Sequence, residues 1–455
     1  MEKKLELSAK ILYLCLALST FNSFIYTSRI QPVLVKLTLV LAVCLLMLRL
    51  LKHRIYRRMP CLILMVLFCA SFVLSAVMNR QYGIVGNGKW IIWTGIQFFV
   101  LYLCDVERDI KEYKKEFYIL SHIMIIYGVV SSLISLGMLA ASYSDIIITA
   151  DEEMVVCGFT WGRLWGVYTD PNYGAVFSVI VIILSVLFFL RKQGRVRILY
   201  CLGIIACFLY LIFSDSRTGE VSLICSLGLF VCIAVIHKEK EKKAVVRIGM
   251  AALAVLVTAG VSFTGNRLIK TEYNRKLAPV FAEMFPKKET NQHVKNKVGR
   301  KQDIETDVSN GRFALWESGI EVWKSSPVYG TGYTTFVSYA KEHTPDIYAV
   351  NTGGADYVSL HNTFINTLAY QGSIGFVLFL MIAFLIALYV VKPVLLSERE
   401  VYLELGAMLS CISAVLISMM FYMEGIYTNS PGTFVLWVFC GYMVQYSYRK
   451  RKGAA

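Results

Sequence analysis

Charge is what this chain has little of. Charged residues make up 17% of its 455 residues against 56% hydrophobic, and its mean hydropathy is +0.58. A soluble globular protein carries about a quarter charged residues, so that class is excluded. The long apolar runs lack the polar/apolar alternation of strands, which excludes a spanning β-barrel. There is no P-loop, so the chain has no ATP motor of its own. No His, Cys or Asp grouping has metal-ligand spacing, and no Asp-x-Asp pair lies in a loop beside a span, so neither a zinc enzyme nor a metal-dependent nucleotide-sugar transferase finds support. The 12 cysteines give no disulfide framework, because nearly all, such as Cys15, Cys69, Cys207 and Cys440, lie inside apolar runs. Cys157, in a loop, has no evident partner. No small-residue cleavage site follows the first apolar run, which reads as a retained first helix.

What is present is a series of apolar segments long enough to cross a bilayer core. They fall near 10–26, 31–50, 60–78, 89–104, 118–141, 172–190, 198–213, 219–236, 247–264, 373–391, 401–424 and 432–447. The expected fold is all-α: a polytopic membrane bundle of about twelve transmembrane helices with one large extracytoplasmic loop containing short helices. Residues 1–264 make an N-terminal bundle of about nine spans, 265–360 the loop, and 361–455 the last three or so. A formal net charge of +15 would suggest nucleic acid in a soluble protein. Here the basic clusters (51–58, 108–115, 191–197, 238–247, 449–452) occupy alternate connections. By the positive-inside rule both termini and these connections are cytoplasmic, the 265–360 loop lies outside, and nucleic acid is not a partner.

Within the loop, 286–309 has almost nothing to bury and reads as mobile. From Gly311 an amphipathic helix follows, with Phe313, Trp316, Ile320 and Trp323 as its apolar stripe, Ser309 or Asn310 as its cap, and Pro327, Gly330 and Gly332 ending it. The tryptophans suit an interfacial helix, whereas membrane seating does not require Arg312 at the helix start. After the seventh span, FSDSRTGEVSL puts Asp215, Arg217 and Glu220 in one short turn, with Ser216 and Thr218 able to cap the eighth helix. Guanidinium and helix N-terminus converge there on a site suited to phosphate or diphosphate; the plain alternative is a local ion pair of Arg217 with Asp215 or Glu220. In TWGRLWGVYTDPNYGAVFS, Asp170-Pro171-Asn172 is a turn whose Asn172 can cap the next helix, and Trp161, Trp165 and Tyr168 suit an aromatic belt. His361 and Asn362 stand where a polar loop meets the membrane, and the Gly372/Gly375 break sets 361–370 apart as a short helix that places the imidazole at a cleft. His293 lies in the mobile stretch and His343 in a loop.

Four stretches in order, GVYTDPNYGA, SDSRTGE, GRFALWESGIEVWKSSPVYGTGY and HNTFINTLAYQGSIG, resemble the bacterial O-antigen polymerases and O-antigen ligases, multi-spanning glycosyltransferases that use lipid-diphosphate-linked glycans. The resemblance covers about the C-terminal two thirds. It implies metal-independent transfer on the outer face of the bacterial cytoplasmic (inner) membrane, with no cofactor beyond the carrier, undecaprenyl diphosphate. On the matching positions, Arg217 and Arg312 hold the diphosphate and His361 takes the acceptor hydroxyl proton. Asp170, Asn172, Ser216, Thr218, Gly311, Trp316 and Asn362 support them or touch substrate. Expected partners are a lipid-linked oligosaccharide, membrane lipid, and a chain-length regulator or flippase. The expectation is an O-antigen or capsular polysaccharide polymerase. Alternatives are a ligase delivering the glycan to lipid A core or another acceptor, a lipid-linked glycan transporter, and a non-catalytic regulator of chain length.

Overall fold

The structure is a computed structural model that describes residues 2–149, 153–285, 297–299, 309–395 and 401–451. It is an all-α polytopic bundle. Apart from one-turn pieces, its helices are α1 (Glu2–Thr20), α2 (Ile30–Leu51), α3 (Leu62–Met78), α4 (Val85–Ile96), α5 (Ile110–Ala140), α6 (Pro171–Arg191) and α7 (Val196–Phe213). They continue with α8 (Arg217–Lys238), α9 (Ala244–Glu272), α10 (Arg312–Ser325), α11 (Phe336–His343), α12 (Thr363–Leu395), α13 (Tyr402–Met419) and α14 (Pro431–Arg451). The expected stretch 286–309 lies outside the described residues except for 297–299 and Ser309.

Eight described helices are long and apolar enough to cross a membrane, and α3, at 17 residues, is shorter. The other expected spans fall on α1, α4 and α14. Their apolar runs are diluted by polar residues that the fold buries, Glu6 and Lys10 in α1 and Gln445 in α14, with Gln97 following α4. The span expected over 401–424 ends at Met419, and the chain then turns without helix until Pro431. Helix α6 is apolar all round and sits in the centre, whereas α9 runs on through a π-segment to Met284 with little of its apolar run buried. Its exposed Leu253, Leu256, Val257 and Val261 are a face for lipid.

Composition did not announce a small antiparallel sheet between α5 and α6. It is formed by β1 (Ser144–Ile148), β2 (Met154–Thr160) and β3 (Arg163–Gly166), in that spatial order. Nor did the apolar pattern reveal a buried ion cluster at the opposite end of the bundle. Lys10 Nζ lies 2.5 Å from Glu6 and 3.3 Å from Glu116, and Arg108 lies 2.6 Å from Glu116. Arg49 donates to the carbonyls of Phe99 and Val100 at 2.5 and 3.1 Å, inside the π-segment that follows α4. The Tyr442 hydroxyl adds a bond to Glu116 at 3.0 Å. Charges this deeply buried hold only because each has partners on several helices.

The expected break in α12 is present. Gly372 has φ 63° and ψ −166° inside an otherwise helical run. In an unbroken helix Ser373 N–H would bond to the Ala369 carbonyl, and Ile374 N–H to that of Tyr370. Instead the loop after α10 takes all four groups. Thr331 and Gly332 donate to the carbonyls of Ala369 and Tyr370 (3.0 and 2.8 Å), while Ser373 and Ile374 donate to those of Pro327 and Val328 (2.8 and 3.3 Å). Neighbours from the first half of the chain complete the joint: the Ser75 hydroxyl bonds to the Tyr370 carbonyl at 2.6 Å, and the Asn79 amide to the Gly330 carbonyl at 2.9 Å. Backbones meet so closely that a Cβ on Gly330 would lie 2.5 Å from Gly372 N, and one on Gly372 would lie 2.4 Å from the Val328 oxygen.

Alanine at Gly330 or Gly372 should therefore cost at least about 1–3 kcal/mol from the left-handed backbone alone, read as a lowered thermal midpoint of the purified protein in detergent. Gly88→Ala, where a Cβ meets nothing within 4 Å, should leave the midpoint in place. Equal midpoints for all three would show that the joint is not tight.

Candidate active site

Asn310 and Gly311 are both left-handed (φ 55° and 79°), and this double turn delivers the chain into α10. Gly311 is the helix's N-cap residue, and no side chain caps the end in the expected way; Ser309 Oγ accepts from Phe313 N–H at 3.5 Å. The buried face of α10 is also not the expected stripe. Leu315, Ser318, Gly319 and Val322 face inward, while Phe313 is 65% and Ile320 37% exposed. Gly319 is the reason. A Cβ there would come within 2.6 Å of Ile365 and Leu360, so the helix is rotated to bring its smallest residue against α12. Trp316 is half-buried beside Phe313, and Trp323 Nε1–H donates to Ser373 Oγ at 3.0 Å, just past the break.

That packing sets Arg312 and His361 around one ring. Arg312 Nη2 donates to the Tyr422 hydroxyl at 2.5 Å, and its guanidinium carbon lies 5.0 Å from the Tyr422 ring centre and 5.6 Å from that of Phe421. The His361 ring meets the same tyrosine edge-on, with centroids 5.7 Å apart, and has Tyr357 at 6.2 Å on another side. His361 is left-handed (φ 50°), which turns its side chain away from the path of α12. The next residue, Asn362, is structural: its side-chain oxygen caps α12 by accepting from Phe364 and Ile365, and its amide donates to the Met420 carbonyl.

Asp170 approaches from α6. Asp170, not Asn172, caps that helix, accepting from the backbone of Asn172 at 2.6 Å and of Tyr173 at 3.4 Å. Asn172 is occupied instead by Arg163, whose Nη2 donates to it at 2.7 Å while Nε donates to the Ser214 carbonyl at 2.8 Å. Arg163, buried, is thus a strut from the sheet to the starts of both α6 and the 214–217 turn. Burial lowers the His361 pKa below its ordinary value, the Asp170 carboxylate works against that shift, and Arg312 adds to it. The result is a neutral imidazole, able to accept a proton at neutral pH.

Arg217, exposed, is the first residue of α8. Ser216 caps the helix through Gly219 N–H at 3.1 Å, as expected, and Ser216 and Thr218 are buried. A Cβ on Gly219 would lie 2.5 Å from Ala175 Cβ, so the Arg217 turn rests directly on the first turns of α6, the helix that Asp170 caps. Asp215 is engaged by Lys270 of α9 at 2.5 Å, an interaction the local ion-pair alternative did not foresee. His343, expected in a loop, ends α11 and lies 3.0 Å from the Tyr82 hydroxyl.

Residues 202–380 match a family model described as O-antigen ligase. That match supports a place in the O-antigen ligase and polymerase family. No curated protein matches it. The matched region contains Arg217, Arg312 and His361, while Tyr422, which touches two of them, and Asp170 lie beyond its ends. Tyr422 had no signal in the sequence, since a tyrosine after an apolar run is an ordinary interfacial residue.

If Arg312 depresses the His361 pKa, Arg312→Gln should raise it, and Asp170→Asn, which removes the opposing charge, should lower it further. Histidine-selective NMR titration of the detergent-solubilised protein would read both; shifts in the same direction would refute this arrangement of charges.

Proposed function

We propose that the chain is a metal-independent glycosyltransferase that joins undecaprenyl-diphosphate-linked oligosaccharide repeat units on the outer face of the cytoplasmic membrane. The observation that carries this reading is the shared contact of Arg312 and His361 with Tyr422: a permanent cation and a neutral imidazole held on one ring. In the transfer, the acceptor hydroxyl attacks the anomeric carbon of the donor glycan and its proton passes to an imidazole nitrogen of His361. The bond from that carbon to the diphosphate oxygen breaks, and the lipid diphosphate departs with the electron pair. Arg312 and Arg217 stabilise the charge that accumulates on it, the task for which preorganised cations in a dry site are most effective. The family match supports ligase- or polymerase-type activity in general.

The positive-inside rule, read on the basic connections, supports cytoplasmic termini and an outside position for the Arg217, Arg312 and His361 end. An extracytoplasmic site has no nucleotide supply, which suits a donor that arrives already activated on lipid. Polymerisation is the reading we adopt, with a chain-length regulator or flippase as its expected protein partners. Ligation to lipid A core or another acceptor is the alternative and uses the same chemistry.

Purified protein in liposomes, given a lipid-diphosphate-linked repeat unit, no nucleotide and excess EDTA, should yield a glycan ladder. His361→Ala should lower its rate by about 10²–10⁴. Arg217→Ala and Arg312→Ala should abolish product, and Arg→Lys should impair strongly if the diphosphate is gripped by two N–H groups. Near-normal activity in any alanine variant would remove that residue from the mechanism. Transfer that occurs only when lipid A core or a protein acceptor is added would make the chain a ligase.

A further inference from the structure

Between α13 and α14 the chain makes a buried turn, 420–430, that carries Tyr422 and, two residues on, Glu424. The Glu424 carboxyl is 2% exposed. The Ser430 hydroxyl donates to its Oε1 at 3.1 Å, and Ser418 and the Gly432 N–H are its other polar neighbours. The small cavity it faces is lined by Tyr127 of α5, Tyr173 of α6, Tyr168 just before α6, and Leu18 and Phe21 at the end of α1. Those tyrosines are the titratable groups lining the cavity, Tyr173 is also acted on by Asp170, and among the described residues no Lys, Arg or His forms an ion pair with Glu424. A carboxyl buried without a cation is costly, so what it holds in place is of interest.

It holds the turn from inside. Gly432, in the first turn of α14, fits against the carboxyl so closely that a Cβ would lie 2.0 Å from Oε1. Outside the carboxyl, the turn is gripped by the residues that follow His361. The Thr363 hydroxyl accepts the Glu424 N–H at 2.9 Å and lies 2.8 and 3.0 Å from the Glu424 and Tyr422 carbonyls, while Asn362 donates to Met420 at 3.1 Å. From α6, the Tyr173 hydroxyl donates to the Met423 carbonyl at 2.8 Å, and its ring packs against Tyr422.

We propose that Glu424 is a positioning residue of the transfer site: its carboxyl, seated against Gly432 and Ser430, fastens the 420–430 turn so that Tyr422 stays between Arg312 and His361. The inference rests on the reading of Arg312 and His361 as site residues, but its structural content does not depend on which glycan is transferred. Burial pushes the Glu424 carboxyl up to about 7. The cavity disfavours the carboxylate, against the Ser430, Ser418 and Gly432 donors that favour it, so the seat is under strain once the group ionises. The fastening is therefore complete below the ordinary carboxyl range and weakens as pH rises through about 7.

The test reads the Tyr422 contact on His361 through the rate at which diethyl pyrocarbonate modifies that histidine in the full-length protein in detergent, mapped by mass spectrometry with His122 of α5 as the internal control. Glu424→Ala and Gly432→Ala should each raise the His361 rate about tenfold by opening the turn locally, with His122 unchanged. The double variant should match either single one, because both remove the same seat. Glu424→Gln should stay within about twofold of wild type, because its amide can both donate and accept. Between about pH 7 and 9, where an ordinary imidazole is mostly neutral, the wild-type rate should climb and that of Glu424→Gln should stay flat. Should Glu424→Ala fail to fold, seen as His122 rising in step, Ser430→Ala removes one bond to the carboxyl together with the Ser430 Oγ bonds to Thr433 and should still raise the His361 rate about threefold, with Thr433→Val, which spares the carboxyl bond, as its control. An unchanged His361 rate in the variants that fold, or additive effects of Glu424→Ala and Gly432→Ala, would overturn the proposal. Loss of the glycan ladder from the function itself is a separate outcome: it would sink the transferase reading and leave the labelling result standing.

Discussion

A backbone N–H or carbonyl that is turned loose among apolar side chains has to find a partner there, since no water reaches it. The break at Gly372 turns loose two of each, and the 327–332 loop takes up all four. Much of the site follows from that exchange. Because the loop is the direct continuation of α10, fixing it against α12 fixes the angle and height of α10, and with them the position of Arg312 at its start. Because the break separates the first turns of α12 from the long helix beyond, those turns can lean toward the 420–430 turn and carry His361 to the ring that Arg312 already touches. A straight helix would have placed the imidazole along one axis with everything after it.

The opposite end of the bundle solves a different problem by electrostatics. Glu6, Lys10, Arg49, Arg108 and Glu116 bring together α1, α2, α5 and the segment before α5, and the π-segment supplies carbonyls that Arg49 consumes. Removing one member of such a cluster leaves an uncompensated buried charge, at a cost of about 3–5 kcal/mol. The contrast between the ends is chemical. One end satisfies its buried charges with each other and closes, while the other keeps Arg217 exposed and leaves His361 only part-buried.

Residue type and position made parts of this legible in the sequence. Arg217, Arg312 and His361 could be singled out because charge or titration at the margin of an apolar run needs a reason, and the Gly372 break because Gln371, Gly372, Ser373 and Gly375 cluster just before a long apolar run. The all-α bundle followed from run length alone. What stayed hidden depends on contacts between segments far apart. The periodicity of α10 pointed to Phe313 and Ile320 as its inner face, but a helix lying on another is seated by its smallest residue, Gly319, and hydrophobicity does not register that. Asn172 and Asp170 are equally good caps on paper, and Arg163, a partner from the preceding strand, decides between them. Tyr422 and Glu424 sit beyond an apolar run in a turn with no motif, and only their neighbours give them meaning.

The joint around Gly372 also has a history in time. Ser71, Ser75 and Asn79 belong to the third helix or its end, yet the groups they bond, Gln371, the Tyr370 carbonyl and the Gly330 carbonyl, lie 300, 295 and 251 residues further along the chain. Synthesis at about 5–20 residues per second puts roughly 15–60 s between the emergence of α3 and that of its partners in α12. For that interval the polar stripe lacks its distant partners and has only bonds within its own helix, Ser71 to the Phe68 carbonyl and Asn79 to that of Ser75, both at 2.8 Å. The joint therefore closes only when the broken helix arrives, and the site at its far end is among the last parts of the molecule to exist.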